Sequence, residues 1–143
     1  HARPEIVCDR DAVRVLLRHE GVELIREVRI EGDELIVEDS IHSGGRLVSA
    51  WIFPPQCAVL DDLENAGALL LSRDGGDWSF SFEGAGKSLN ASRRQVSRVY
   101  GEVETADSIQ VIATSKIRVT VHRGAEFRPQ SSRQNERKLA TTY

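Results

Sequence analysis

Apolar and polar residues alternate with a period of two along most of the chain. In "AVRVLLR" the residues Val13, Val15 and Leu17 share one parity. In "VELIREVRI" Val22, Leu24, Val28 and Ile30 do the same, with Arg26 interrupting. Side chains on a strand point alternately to opposite faces, so the pattern predicts half-buried antiparallel strands. "RIEGDELIVED" reads as a hairpin whose tight turn is Gly32-Asp33, between Ile30 and Leu35. "RLVSAWIF" is a strand entered through "HSGG" and stopped by Pro54-Pro55, since proline removes a ladder donor. "QCAVL" and the continuous apolar run "ALLLS" follow, with "RDGGD" as a turn. "WSFSFE" is the cleanest alternation, with Trp78, Phe80 and Phe82 on one face. "RRQVSRVY", "SIQVIAT" and "KIRVTVH" complete a set of about ten short strands. Only "LDDLENAGALL" offers a helical alternative, and Gly67 argues against it.

Many short strands with regular turn signals and no internal repeat predict an all-β fold, an antiparallel β-sandwich. Residues 1–122 are expected to form this single domain. Residues 123–143 have few apolar positions and no periodicity, which predicts a disordered polar tail.

Composition changes this picture in three ways. At 143 residues and 15.9 kDa, with a mean hydropathy of −0.33, the chain is long enough for one ordinary core. No apolar run approaches the ~18 residues of a membrane helix. No secretory signal is visible in "HARPEIVCDRD", no methionine occurs, and the chain opens directly in charged, strand-like sequence. A fragment, a processed chain or one domain of a longer protein is the expectation. The charge is also uneven. Residues 123–143 carry five basic and two acidic groups, +3 against a chain total of −3, which leaves −6 on the body. So acidic a body argues against nucleic acid as a partner. Cys8 and Cys57 are the only cysteines; a secreted or periplasmic protein could join them in one disulfide, two separate buried thiols are the favoured expectation, and no histidine lies at ligand spacing from either. No metal or cofactor is expected, and no membrane partner.

The motifs of common hydrolases are absent: no G-x-S-x-G elbow, P-loop, H-E-x-x-H or EF-hand loop. "GAGKS" at 84–88 lacks the spacing of a phosphate loop and reads as a β-turn. His42 sits in a Gly-rich loop at a strand end, where an imidazole can transfer a proton, though an exposed loop histidine is the simpler reading. Carboxylates cluster at Asp33, Glu34, Glu38 and Asp39 and at Asp61, Asp62 and Glu64. Paired carboxylates can serve glycoside hydrolysis, but solvated strand ends are the default. "SRRQVSRVY", taken as a strand, places Arg94, Arg98 and Tyr100 on one parity. Two guanidinium forks beside a phenol suit an acidic polymer, because arginine pairs bidentately with carboxylates and sulfates. Arginine outnumbers lysine 16 to 3 across the chain, however, so a solvated face is the competing reading.

In order, "RHEGVELIREVRIEGDELIVEDSI", "RLVSAWIFPP", "WSFSFEG" and "SRVYGEVETADSIQVIAT" resemble the C-terminal β-sandwich of heparinase II/III-like polysaccharide lyases, over residues 14–122. The single motifs are weak; their order and spacing carry the resemblance. It implies an upstream (α/α) toroid, and cleavage of uronate-containing polysaccharides by β-elimination. A base removes the C5 proton, a cation or donor neutralises the carboxylate, and an acid protonates the leaving oxygen. It further implies that this chain is catalytically incomplete alone, with an acidic polysaccharide and the upstream domain as partners and a periplasmic or secreted location. His42 and Tyr100 are then the candidate catalytic groups, and Arg94, Arg98 and Trp51 the candidate substrate-binding groups. One departure stands out. Many relatives keep a histidine in the strand that enters the proline, whereas this chain has "AWIFPP". Its residues cannot transfer a proton there, although Trp51 offers a flat face to a sugar ring if it does not pack in the core. A stand-alone carbohydrate-binding or interaction sandwich is the alternative.

Overall fold

The computed structural model describes residues 3–55, 57–72 and 76–124. They form strands β1 (Arg3–Cys8), β2 (Ala12–His19), β3 (Val22–Glu31), β4 (Glu34–Ile41), β5 (Arg46–Ile52), β6 (Ala58–Asp62), β7 (Gly67–Ser72), β8 (Gly76–Val96) and β9 (Glu104–Arg123), with no helix among the described residues. All pairings are antiparallel, in the order β1-β2-β3-β4-β9-β8-β7-β6, and β5 also pairs with β9.

The two long strands turn this sheet into a sandwich. Residues 108–114 of β9 pair with β5, and residues 116–122 pair with β4 on the same edge. β8 runs along the other edge of both halves. At the junction Ser115 takes φ 65, and β8 shifts register between Glu83 and Ala85 and again between Ala85 and Ser88. Bulges of this kind bend a strand sharply. A narrow layer results from β5 and the adjoining halves of β9 and β8. The remaining strands form a broad layer. The two meet where Phe53, just after β5, packs edge-on against Phe80 of β8 at 5.1 Å between ring centroids. Phe82, Ile109, Val111, Ile117 and Val119 are almost completely buried around this contact.

Local signals account for the turns. Glu20 and Gly21 both have positive φ, 49 and 77, as a type I′ hairpin requires between His19 and Val22. Gly32 (φ 63) opens the predicted Gly32-Asp33 turn, and Glu31 faces Glu34 across it. The parities read from β2 and β3 also hold: Val13, Val15, Leu17, Leu24 and Val28 lie on the face that continues the core. Arg26, which interrupts them, makes a two-pronged ion pair with Asp39 directly opposite, at 2.6 and 2.8 Å.

Four expectations change. "SIQVIAT" and "KIRVTVH" are two halves of one 20-residue strand, and "GAGKS" is no turn but the bulged middle of the 21-residue β8. As Gly67 argued, "LDDLENAGALL" is no helix but the β6–β7 hairpin, closed by Asp62 accepting from the Asn65 side-chain amide at 2.8 Å. "RRQVSRVY" is a strand only as far as Val96. Cys8 and Cys57 are indeed separate free thiols, but Cys8 is exposed on the edge strand β1 rather than buried. Of the polar tail expected over residues 123–143, Arg123 instead closes β9, and residues 125–143 lie outside the described residues.

Candidate functional site

β8 and β9 are joined by residues 97–103, and this end of the narrow layer collects most of the nominated side chains. Arg93 and Arg94 occupy the last turns of β8, opposite Asp107 and Ala106. Successive strand residues face opposite ways, so the two guanidinium groups leave the strand on different sides. Arg93 Nε lies 3.4 Å from Asp107 Oδ1. Arg94 is exposed and has no ion pair among the described residues. Beyond Val96 the chain enters a tight turn. The Glu102 amide donates to the Val99 carbonyl at 3.0 Å, and the Ser97 hydroxyl donates to the same carbonyl at 2.9 Å. Gly101 sits at the third turn position with φ 82, a conformation a type II turn demands and glycine supplies. The second position is Tyr100, whose ring is fully exposed between exposed Val99 and Val103. Arg98 is tied to Glu104, with Nη2 at 2.7 Å and Nε at 2.8 Å from one carboxylate oxygen.

Arg94, Arg98 and Tyr100 therefore share no strand face, because the strand ends between them. All three are nevertheless exposed near one end of the layer. Arg93 leaves the opposite side of β8, where it meets Asp107.

Two nominated residues stand elsewhere. Trp51 is on the core face of β5, edge-on to Phe80 at 6.2 Å, and its indole N–H donates to the Ser49 hydroxyl at 3.1 Å. Its apolar face is spent on packing, and Tyr100 is the aromatic presented to solvent. His42 is exposed in the β4–β5 loop, and that loop is fastened to the bend by the Ser115 amide donating to the Gly45 carbonyl at 2.8 Å. From Thr114 to Glu104 β9 advances about ten residues, or ~33 Å. His42 and Tyr100 are thus separated by most of a strand's length and cannot act on one sugar ring.

A second polar surface lies on the outer face of the broad layer. Two adjoining troughs of about 570 and 380 Å³ share Glu83 and Arg118. Their chemistry is mostly self-satisfied. Glu38 receives Arg29 at 3.0 Å, Lys116 at 3.2 Å and Arg118 at 3.0 Å, the last without hydrogen-bond alignment. The Arg29 hydrogen bond, helped by Lys116 and opposed by burial, holds the Glu38 carboxyl below its ordinary value. Arg29 also binds Glu31 and Glu27, and its own pKa is raised, first by Glu38. These carboxylates are neutralised by neighbours rather than poised for acid–base work. Among the described residues no group of three His, Cys, Asp or Glu side chains is placed to hold a metal ion.

The family model for the heparinase II/III-like C-terminal domain matches residues 9–138, and the chain belongs to that family. Among solved structures, the heparan sulfate lyase HepC from Pedobacter heparinus matches with TM-score 0.69 and 17% identity over 90% of this chain. A mutant of the same lyase matches with TM-score 0.71 at 17% identity, also over 90% of the chain. A heparinase III structure matches with TM-score 0.66 and 10% identity over 85% of it. The chain spans only 23%, 23% and 22% of those three proteins. No curated protein matches the sequence.

Proposed function

We propose that this chain is the C-terminal sandwich of a polysaccharide lyase that cleaves a uronate-containing acidic polysaccharide by β-elimination. The observation that carries the reading is the family match across nearly the whole described sandwich, joined to a fold shared with heparan sulfate lyases. Within it, Arg94, Arg98 and Tyr100 form the surface that contacts the polymer. Guanidinium groups pair with carboxylates or sulfates, and the exposed phenol ring of Tyr100 lies against a sugar face. The chain supplies binding, and the proton-transfer groups come mainly from the upstream toroid. His42 lies too far from this surface to complete a catalytic centre with Tyr100.

Two measurements test this. The full-length polypeptide should release unsaturated uronate products, detected in the ultraviolet, from heparan sulfate, heparin or alginate, and the isolated chain should not. Robust product from the isolated chain would overturn the assignment of the chemistry to another domain. On immobilised heparan sulfate at low salt, Arg94→Ala with Arg98→Ala should weaken binding about 5–10-fold, the scale of two exposed charge contacts. The difference should shrink as salt screens the charges. Unchanged affinity at low salt removes both residues from the binding surface.

A further inference from the structure

We infer that the free edge of β5 is a docking site for a β-strand contributed by the parent polypeptide from outside residues 1–143, completing the narrow layer. The inference rests on the reading of the chain as one part of a larger lyase. Three observations lead to it independently of one another.

The layers do not match. The narrow one has three strands, while β1, β2 and β3 extend the broad one past it. The core-side face of this extension is apolar apart from the Arg26–Asp39 ion pair, with Val15, Leu17, Leu24 and Val28 continuing the buried face of β4. No described strand covers it, and Ile6 and Ile30 on it are about 60% exposed. A sheet face of this composition is normally packed against another layer.

The gap has a wall, and the wall is β5. A cavity of about 280 Å³ is bounded by Val15, Leu17, Leu24 and the paired Arg26 and Asp39 on one side and by Leu47 and Val48 of β5 on the other. β5 pairs with β9 alone among the described strands, so its second edge faces this cavity with alternate backbone amides and carbonyls unpaired. A strand added there would pair its backbone with β5 and turn alternate apolar side chains onto the uncovered face.

The other free edges are guarded and this one is not. The edge half of β8 carries Lys87, Arg93 and Arg94, β1 carries Arg3, Pro4 and Glu5, and the short five-residue β6 ends in Asp61-Asp62. Charges and proline on an edge are what keep sheets from recruiting strands. β5 reads "RLVSAWI", with no charge after Arg46 and no proline before Pro54, and its Val48 and Ile52 are half exposed. That the chain spans only 23% of its structural relatives names the source: a strand from the same polypeptide rather than a foreign partner.

Hydrogen exchange on the isolated chain and on the full-length polypeptide provides the test. Alternate amides of Leu47–Ile52 should exchange quickly in the isolated chain and slow by ~100-fold in the full-length protein. Val48→Lys should lower the melting temperature of the full-length protein by several degrees and leave that of the isolated chain almost unchanged. Three results would overturn the inference. One is equally fast exchange in both forms. Another is protection in the isolated chain that grows with its concentration, with a dimer in sedimentation, since the occupant is then a second copy. The third is an equal effect of Val48→Lys on both forms. The lyase reading fails separately: a full-length protein with a protected β5 edge and no uronate elimination would sink that reading and leave the docking site standing.

Discussion

Gly84→Ala offers the sharpest test of the bend that makes the sandwich. In an open strand this change usually stabilises by roughly 0.5–1 kcal/mol, because alanine has less unfolded-state freedom to lose. Gly84 does not have positive φ, so backbone strain gives no reason to expect otherwise. The reason is space. A Cβ at this position would lie 2.6 Å from the Ala113 Cβ and 3.0 Å from the Lys116 carbonyl oxygen. Carbon atoms pack at ~3.5–4.0 Å, so the strands must separate by roughly 1 Å. Neither neighbour can yield cheaply. Ala113 is 2% exposed in the core, and Lys116 O belongs to the backbone just past the Ser115 kink. Overpacking of this kind costs typically ~1–3 kcal/mol, and the contact to backbone puts the expectation near ~2. For a chain of this size that is a fall in melting temperature of about 6 °C.

The assay is thermal and urea unfolding of Gly84→Ala, Ala113→Gly and the double variant. Ala113→Gly alone should cost ~1 kcal/mol, and the double variant should recover roughly 1 kcal/mol relative to additivity, since one of the two clashes is gone. A Gly84→Ala protein as stable as the parent, or a strictly additive cycle, refutes the claim that β8 and β9 touch at the bend.

Other side chains make further claims. Glu38→Gln should cost about 1–2 kcal/mol near pH 7, since it leaves Arg29, Lys116 and Arg118 facing one another. The Glu38 carboxyl is depressed in the fold, so its contribution is present above its unfolded value of 4.5 and is lost as pH falls through the lower folded value; a gap between Glu38→Gln and the parent that persists unchanged at acid pH would contradict this. Arg26→Leu should destabilise by ~2 kcal/mol, because Asp39, 15% exposed, keeps its charge on an apolar face, whereas Arg26→Leu with Asp39→Leu should recover most of that loss in chemical denaturation. Trp51→Phe should cost ~1 kcal/mol through the lost bond to buried Ser49 and leave heparan sulfate affinity unchanged; a marked loss of affinity would return Trp51 to the binding surface.

Legibility in the sequence followed the range of the interactions involved. Period-two alternation reports which face a residue takes, a local property, and it placed Val13, Val15, Leu17, Leu24 and Val28 correctly. Turn chemistry was equally readable at Gly32-Asp33, where one glycine sets the geometry. The bends were not. "GAGKS" contains two glycines, which mark a turn and a bulge alike, and only the partner strand decides between them. Ser115 carries the kink of β9 without any residue type that announces it. The same ambiguity spoiled the site reading. Parity from Arg94 to Tyr100 presumes a continuous strand, and Gly101, the residue that sets the turn, lies beyond the group it reorganises. Trp51 illustrates the remaining limit: alternation assigns it a face of β5, but which face meets Phe80 depends on how two distant halves of the chain fold over each other.

The two proposals fall on opposite edges of the narrow layer. β9 separates β5 from the second half of β8, so a strand docked on β5 lies on the far side of the layer from Arg93 and Arg94. Completing the sandwich therefore need not cover the surface proposed to meet the polymer. The charges have a double consequence here: arginines on β8 deter another strand from pairing with that edge and at the same time favour an anionic chain lying along it. The unguarded β5 edge has neither property. An edge rich in arginine and poor in partner strands is consistent with a ligand, and an edge free of charge beside an apolar gap is consistent with more protein. Exchanging these characters, by placing lysines along β5 and removing Arg93 and Arg94 from β8, should weaken both the assembly of the full-length protein and its hold on heparan sulfate, each read by its own assay.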